Sequence, residues 1–318
     1  MMPSSMRDQV DDYLAMRSQL GFDVEGQRWL LRDFTRYAER VDHRGPVSID
    51  LAVGWALSSC PGDPARAERR LGAVRQLARH RVVFDPETEI PPAGCIASIP
   101  RRRRQPHIYT DAEISALLGE CSRLRPREGL RPRTYVVFFS LLASTGLRLS
   151  EARHLYRRDV DLDQGLLTVR AGKFHKTRLV PLHPTSVQAL AAYARWRDSF
   201  RNDPPSEFFF RTERAPRLQR AAVEKTFSRL RERLGGSPRG RTRRPRIHDF
   251  RHTFAVRRLL RWYEDGVDLD RKILALSTYL GHAKVTDTYW YLSAVPELMA
   301  VTAERFEQFA LEDPGGRS

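Results

Sequence analysis

Cysteine, lysine and long apolar runs are all scarce in this chain. The three cysteines, Cys60, Cys95 and Cys121, are odd in number and scattered, without the short spacing that zinc ligands need. They exclude a disulfide framework and a metal site of that kind, and they fit a reducing compartment. The longest apolar stretch, residues 135–147, is interrupted by serine and threonine and is too short to span a bilayer, so it reads as a buried core helix. Asp8, Asp11 and Asp12 stand where a secretory leader would need an apolar run, which points to a cytoplasmic, nucleoid-associated protein. No internal repeat and no coiled-coil heptad is visible.

What is abundant is arginine. The 318 residues carry 55 Lys and Arg against 39 Asp and Glu, a net charge of +16, yet only five of the basic residues are lysine. The isoelectric point is about 10.4. Such a balance suits a polyanionic partner. Arginine adds bidentate, permanently charged contacts to phosphate, although a GC-rich genome produces the same bias.

Apolar residues recur at three- and four-residue intervals over residues 7–20, 25–41, 49–57 and 64–83, as in Trp29, Leu30, Phe34 and Tyr37, and this period predicts helices. Residues 1–90 therefore read as a helical domain. Residues 91–106 read as a linker, because Pro91-Pro92-Ala93-Gly94, Pro100 and Pro106 exclude a regular element around the run 101–104 of four arginines. That run would lie against phosphates or form a solvated charged linker. A second domain, residues 107–318, opens with Thr110 as a helix cap and Glu113 placed to complete a capping box. A helix over 134–144 ends at Gly146, and residues 166–169 and 179–182 are strand-like runs around a polar turn. Beyond residue 185 the chain is again mainly helical, apart from an Arg/Gly/Pro loop at 237–246. The fold class is mainly α with a small β-sheet.

Three segments carry chemistry: Thr145-Gly146-Leu147-Arg148-Leu149-Ser150-Glu151; His248-Asp249-Phe250-Arg251-His252-Thr253-Phe254-Ala255; and Leu280-Gly281-His282, followed nine positions later by Tyr291. In this order the chain resembles the tyrosine recombinase, or phage integrase, family over about residues 107–300. The resemblance is weak over residues 1–90, where helical character and the basic linker agree with a DNA-clamping, SAM-like N-terminal domain. Phe250 stands where the family more often has leucine, and the segment 267–280 is about one helical turn longer than usual.

A phosphodiester resists attack because its oxygens repel a nucleophile and its leaving alkoxide is very basic. Metal-free cleavage needs cationic donors on those oxygens, a general acid, a base and a nucleophile. The resemblance implies one residue for each task. Arg148 and Arg251 clamp the phosphate, His248 acts in proton transfer, His282 donates to the scissile phosphate and Tyr291 attacks. Glu151 is close enough on the next turn to hold or neutralise the charge of Arg148. His248 and Arg251 share a helix face, Phe250, Phe254 and Leu259 form an apolar stripe that anchors that helix, and His252 reads as a helix-stabilising polar residue. Tyr279 and Tyr289 compete for the nucleophile's role, but only Tyr291 meets the nine-residue spacing. Lys173, in the turn between the strand-like runs, matches the lysine that protonates the leaving 5′ oxygen, a task arginine cannot perform because it holds its proton. Lys176 is the alternative.

The resemblance thus implies a site-specific recombinase that cuts and rejoins double-stranded DNA through a 3′-phosphotyrosine, with no metal, nucleotide or other cofactor. Integration or transposition of a mobile element is the favoured role. Xer-type chromosome-dimer resolution and a catalytically inactive DNA-binding relative are the alternatives. A homotetramer on paired sites, related recombinases or accessory proteins are the partners implied, with the helix-like segment 297–311 passed between subunits.

Overall fold

Helix-start chemistry explains where the first elements begin. In the computed structural model, which describes residues 5–22, 24–97, 105–170, 177–200, 206–213, 215–235 and 244–294, Ser5 and Asp8 form a reciprocal capping box at the head of helix α1, Met6–Gln19. Helix α2, Glu25–Arg40, follows. Ser48 caps α3, Ile49–Ser58, and Asp63 caps α4, Pro64–Arg81, whose first-turn proline gives up no needed donor. All four helices fall where the apolar period places them. Their buried faces, with Leu14, Leu31, Phe34, Trp55, Leu71 and Leu77 at the centre, form one core.

The chain divides into two compact units, Met1–Arg103 and Arg104–Ser318. In the first, Asp33 accepts from both Trp55 Nε1 (3.1 Å) and Arg70 Nη2 (2.7 Å), and the Arg70 guanidinium lies over the Trp55 ring. The proline stretch after α4 is irregular but tied down. Glu68 accepts from the backbone N–H groups of Gly94 and Ile96, while Arg75 bonds Glu68 and the carbonyls of Pro91 and Pro92.

The second unit begins with the Thr110–Glu113 capping box and α5, Asp111–Ser122. Helix α6, Leu130–Thr145, is the buried helix expected from the longest apolar run. After the short α7, Leu149–Arg153, a 3₁₀ turn leads into a three-stranded antiparallel sheet of β1 (Val160–Asp161), β2 (Leu166–Val169) and β3 (Arg178–Pro181), in the order β1-β2-β3. Four helices follow before the last: α8 (Pro184–Ser199), α9 (Arg220–Arg233), α10 (Asp249–Glu264) and α11 (Leu269–Leu280). The last described helix is α12 (Thr286–Ala294).

Register decides where the strand side chains go. Leu167 pairs with Val180 and Val169 with Arg178, and directly opposed residues share a face, so Arg178 emerges on the buried side of the hairpin. The aromatic core of α6, α8 and α9 takes Phe250 from α10, stacked on Tyr109 at 4.6 Å between centroids. Phe254 and Leu259, expected to belong to one stripe with Phe250, lie instead in a second core with α11 and α12. Helix α10 therefore joins two cores, and its polar residues are held between them. Among the described residues no helix is long and apolar enough to cross a membrane.

Candidate active site

Two glycines shape the site. Gly146 ends α6 at φ 63° and Gly281 ends α11 at φ 68°, in the left-handed region that other L residues enter at a cost. A Cβ on Gly146 would lie 2.8 Å from Phe254 Cδ1, and one on Gly281 would lie 2.9 Å from Arg178 Nη1. Both positions thus need glycine for conformation and for close approach.

The carbonyls exposed by these two helix ends collect arginines. Arg148 donates through Nη2 to Gly281 O (2.7 Å) and through Nη1 to Leu280 O (3.4 Å). Arg251 donates through Nη1 to Gly146 O (2.9 Å) and through Nη2 to Leu280 O (2.5 Å). Arg178 donates through Nε to Tyr279 O (2.8 Å). The physical reason is that the last carbonyls of a helix lack intrahelical partners and carry its negative end. The extra turn of sequence before Gly281 does not disturb this, because it is the end of α11 that the arginines hold.

Glu151 is the carboxylate beside them. It accepts from Arg148 Nη1 (2.7 Å) and Arg148 N (2.9 Å), and it receives Arg178 through both Nη1 (3.0 Å) and Nη2 (2.9 Å). Burial by itself would raise its pKa, but the bonds from Arg178 and Arg148 outweigh burial and hold it at about 2. One carboxylate thus binds two guanidiniums and lies within electrostatic reach of a third, that of Arg251. Arg251, only 2% exposed, has its pKa pushed down to about 10 by desolvation and then by the charge of Arg148. A guanidinium carries more N–H donors than these bonds use, so the cluster retains donors for an anion such as a phosphate oxygen.

Three histidines and a tyrosine complete the group. His248 is the N-cap residue of α10, and His252 lies one turn on, with its ring 4.8 Å from that of His248. His282 follows the left-handed Gly281, its N–H bonding Ser277 O and its Nδ1 lying 2.7 Å from Thr288 Oγ1 of α12. Burial first, and neighbouring arginines next, push His248 to about 4 and His282 to about 3. For His252, burial and then His248 and the arginines lower it to about 3. All three rings are therefore neutral at pH 7, each able to donate from one nitrogen and accept at the other. Tyr291 is buried at 2% exposure, with its ring 6.5 Å from His282 and its hydroxyl 3.0 Å from His252 Nδ1. Tyr289, on the same helix, is 42% exposed.

Of the residues expected from sequence, the structure brings Arg148, His248, Arg251, His282 and Tyr291 together around the end of α11. Lys173 and Lys176 lie outside the described residues, as do the arginine run 101–104 and the segment 297–311. One expectation is corrected. His252 does not act as a helix-stabilising polar residue alone but reaches across to the hydroxyl of Tyr291 on α12. Arg178 was missed altogether. The period-two pattern from Val180 could have placed it on the buried face, but its partner Glu151 is 27 positions earlier.

The family model for the phage integrase family matches residues 108–297. A putative integrase/recombinase, y4rB, of Sinorhizobium fredii is 39% identical over 309 residues, covering 96% of this chain and 98% of that protein. The tyrosine recombinase XerA of Thermococcus kodakarensis is 30% identical, covering 95% of each. Among solved structures, the Tn1549 transposon integrase in complex with transposon right end DNA shares the fold with a TM-score of 0.64 at 16% identity, over 96% of this chain and 100% of that one.

Proposed function

The chain belongs to the phage integrase family of tyrosine recombinases, and on that premise we propose that the cluster at the end of α11 cuts and rejoins double-stranded DNA through a 3′-phosphotyrosine on Tyr291. The observation that carries this reading is the gathering of Arg148, Arg251, His248 and His282 around a buried tyrosine, with a single carboxylate among three guanidiniums. Such a site is short of negative charge, and a scissile phosphate supplies it.

In the proposed reaction the phosphate oxygens take donors from Arg148, Arg251 and His282. Tyr291 attacks phosphorus, and the 5′ oxygen leaves with a proton from Lys173, a role that rests on the family resemblance. His248 takes part in proton transfer. The phosphotyrosine conserves the bond energy, so a free 5′-hydroxyl of a partner duplex can reverse the step. Tyr291 is buried at 2% exposure, so the scissile phosphate has to gain access to the phenol for the reaction to occur.

Integration or transposition of a mobile element is the biological role we infer. The support is the 39% identity to a putative integrase/recombinase over nearly the whole chain, against 30% to a Xer recombinase. The working assembly is a homotetramer on two paired duplexes. The test is a nicked duplex that traps the covalent complex. Tyr291→Phe abolishes the adduct and leaves DNA binding within about threefold, while Tyr289→Phe keeps the adduct. Trapping that persists in Tyr291→Phe and disappears in Tyr289→Phe would refute the assignment.

A further inference from the structure

We propose that His252 is a further catalytic residue, the acceptor that orients the Tyr291 hydroxyl and takes its proton as the phosphorus–oxygen bond forms. The proposal rests on the reading of Tyr291 as nucleophile. Its basis is geometric: His252 Nδ1 lies 3.0 Å from Tyr291 Oη. His282 Nδ1 is occupied by Thr288, and the His282 ring centroid is 6.5 Å from that of Tyr291.

The setting keeps the His252 ring in place. It stands one helical turn after His248 on α10 and meets that ring edge-on. From α12 it is met by Trp290, at 5.8 Å, and by Tyr291 itself, at 5.6 Å between centroids. The side chain therefore bridges the helix that carries Arg251 and the helix that carries the nucleophile. Arg251 is the adjacent residue in sequence, so the phosphate clamp and the proton acceptor move as one piece of backbone.

The charge balance favours transfer only when substrate is present. At rest, burial and the surrounding His248, Arg246, Arg251 and His282 keep the ring unprotonated, so with its own proton on Nε2 it can accept from the phenol at Nδ1. A scissile phosphate bound by the arginines brings negative charge beside the ring and favours its protonated form. In the forward step the phenolic oxygen uses an electron pair to bond phosphorus, and its proton passes to His252 Nδ1. The P–O5′ bond breaks, its electron pair leaves with the 5′ oxygen, and that oxygen takes a proton from the general acid. On rejoining, an incoming 5′-hydroxyl gives its proton to that acid while His252 returns its own to the departing phenolate.

The test measures single-turnover adduct formation on the nicked duplex for His252→Gln, which keeps a hydrogen-bond acceptor, and His252→Phe, which keeps a ring. Each is made with ordinary tyrosine and with a more acidic ring-fluorinated tyrosine at position 291. Both variants are expected to bind DNA normally and to lose about 100-fold or more in rate, the usual contribution of a general base. The acidic phenol should restore roughly tenfold or more in the variants while changing the wild-type rate little, since a phenol that gives up its proton readily depends less on an acceptor. Unchanged or faster adduct formation would make His252 a bystander or a latch on the buried tyrosine, and a loss without rescue would make it a structural residue; each result overturns the proposal. An adduct that survives Tyr291→Phe overturns the reading of the nucleophile and the proposal with it, whereas an adduct lost in Tyr291→Phe but kept in both His252 variants overturns the proposal alone.

Discussion

The two units use arginine differently. In the N-terminal unit Arg70 lies on Asp33, which Arg36 also reaches, and Arg75 lies on Glu68 with further bonds to the carbonyls of Pro91 and Pro92, so each of these guanidiniums has a carboxylate. In the second unit Arg148 and Arg178 share Glu151 while Arg251 has no carboxylate bonded to it among the described residues, and all three turn donors to the carbonyls of Tyr279, Leu280, Gly281 and Gly146. Charge burial is costly unless it is compensated, and a carbonyl dipole compensates less than a carboxylate. The first arrangement serves the fold, and the second leaves positive charge for an anion to neutralise. The same residue type is thus structural at Arg70 and Arg75 and poised for a substrate at the end of α11, and its partner tells which.

The largest expected effect is on the unmatched side. Arg251→Lys keeps the charge but cannot span Gly146 O, Leu280 O and a phosphate at once. Adduct formation should fall about 100- to 1000-fold, in the range seen when one transition-state donor is removed. DNA affinity, measured by fluorescence anisotropy, should change far less. A variant that cleaves normally but unfolds more readily would show that Arg251 is structural after all and would erase the contrast between the units.

Next in size is the response to acid. His248, His252 and His282 are held below the ordinary histidine value, so the unfolded chain takes up protons from about pH 6.5 downward while the folded unit does not until about pH 3 to 4. Protons bound preferentially by the unfolded state lower stability as pH falls, so by linkage the catalytic unit should lose roughly 2.5 kcal/mol per histidine, several kcal/mol in all, between pH 7 and pH 4.5. In the N-terminal unit one histidine, His80, is lowered, chiefly by burial. Its lowered carboxylates, Asp33 and Glu68, give up their contribution only as pH falls below the ordinary carboxylate range. Urea unfolding at the two pH values, followed by hydrogen exchange of peptides from each unit, should therefore show the catalytic unit weakening first. Equal weakening of both units would contradict the histidine assignments.

The smallest effect tests the matched pair. Arg70→Met removes the guanidinium from Asp33 and should cost the N-terminal unit about 2 kcal/mol, less than a fully buried pair because Asp33 keeps some solvent. The additional change Asp33→Asn should recover part of that loss. No recovery would mean that Arg70 acts by packing on Trp55 rather than by its charge.

Legibility in the sequence followed the range of the interaction involved. Thr110 with Glu113, the four N-terminal helices, the helix that ends at Gly146 and the β2–β3 pair could all be read, because caps, apolar period and glycine act over a few residues. The two-residue strand β1 could not, since Val160 and Asp161 are too few to show a period and owe their conformation to Leu166 and Leu167. His252 was visible as a histidine one turn from His248, but its bond to Tyr291 joins helices 39 positions apart. Phe250 and Phe254 looked like one stripe, yet α10 runs between two cores and divides them.

The sequence by itself determined the four N-terminal helices, the buried helix that ends at Gly146, the β2–β3 pair, and the inventory of arginines, histidines and tyrosine from which a site can be made. These follow from backbone sterics, local hydrogen bonding and side-chain chemistry. Only the tertiary structure decided that three guanidiniums converge on the end of α11 with one carboxylate among them, that Arg178 belongs to the group, and that Tyr291 is buried against His252 while Tyr289 faces outward. Those outcomes depend on how separate helices pack. Packing sets the distance between groups far apart in sequence, and distance and burial together fix which donor meets which acceptor.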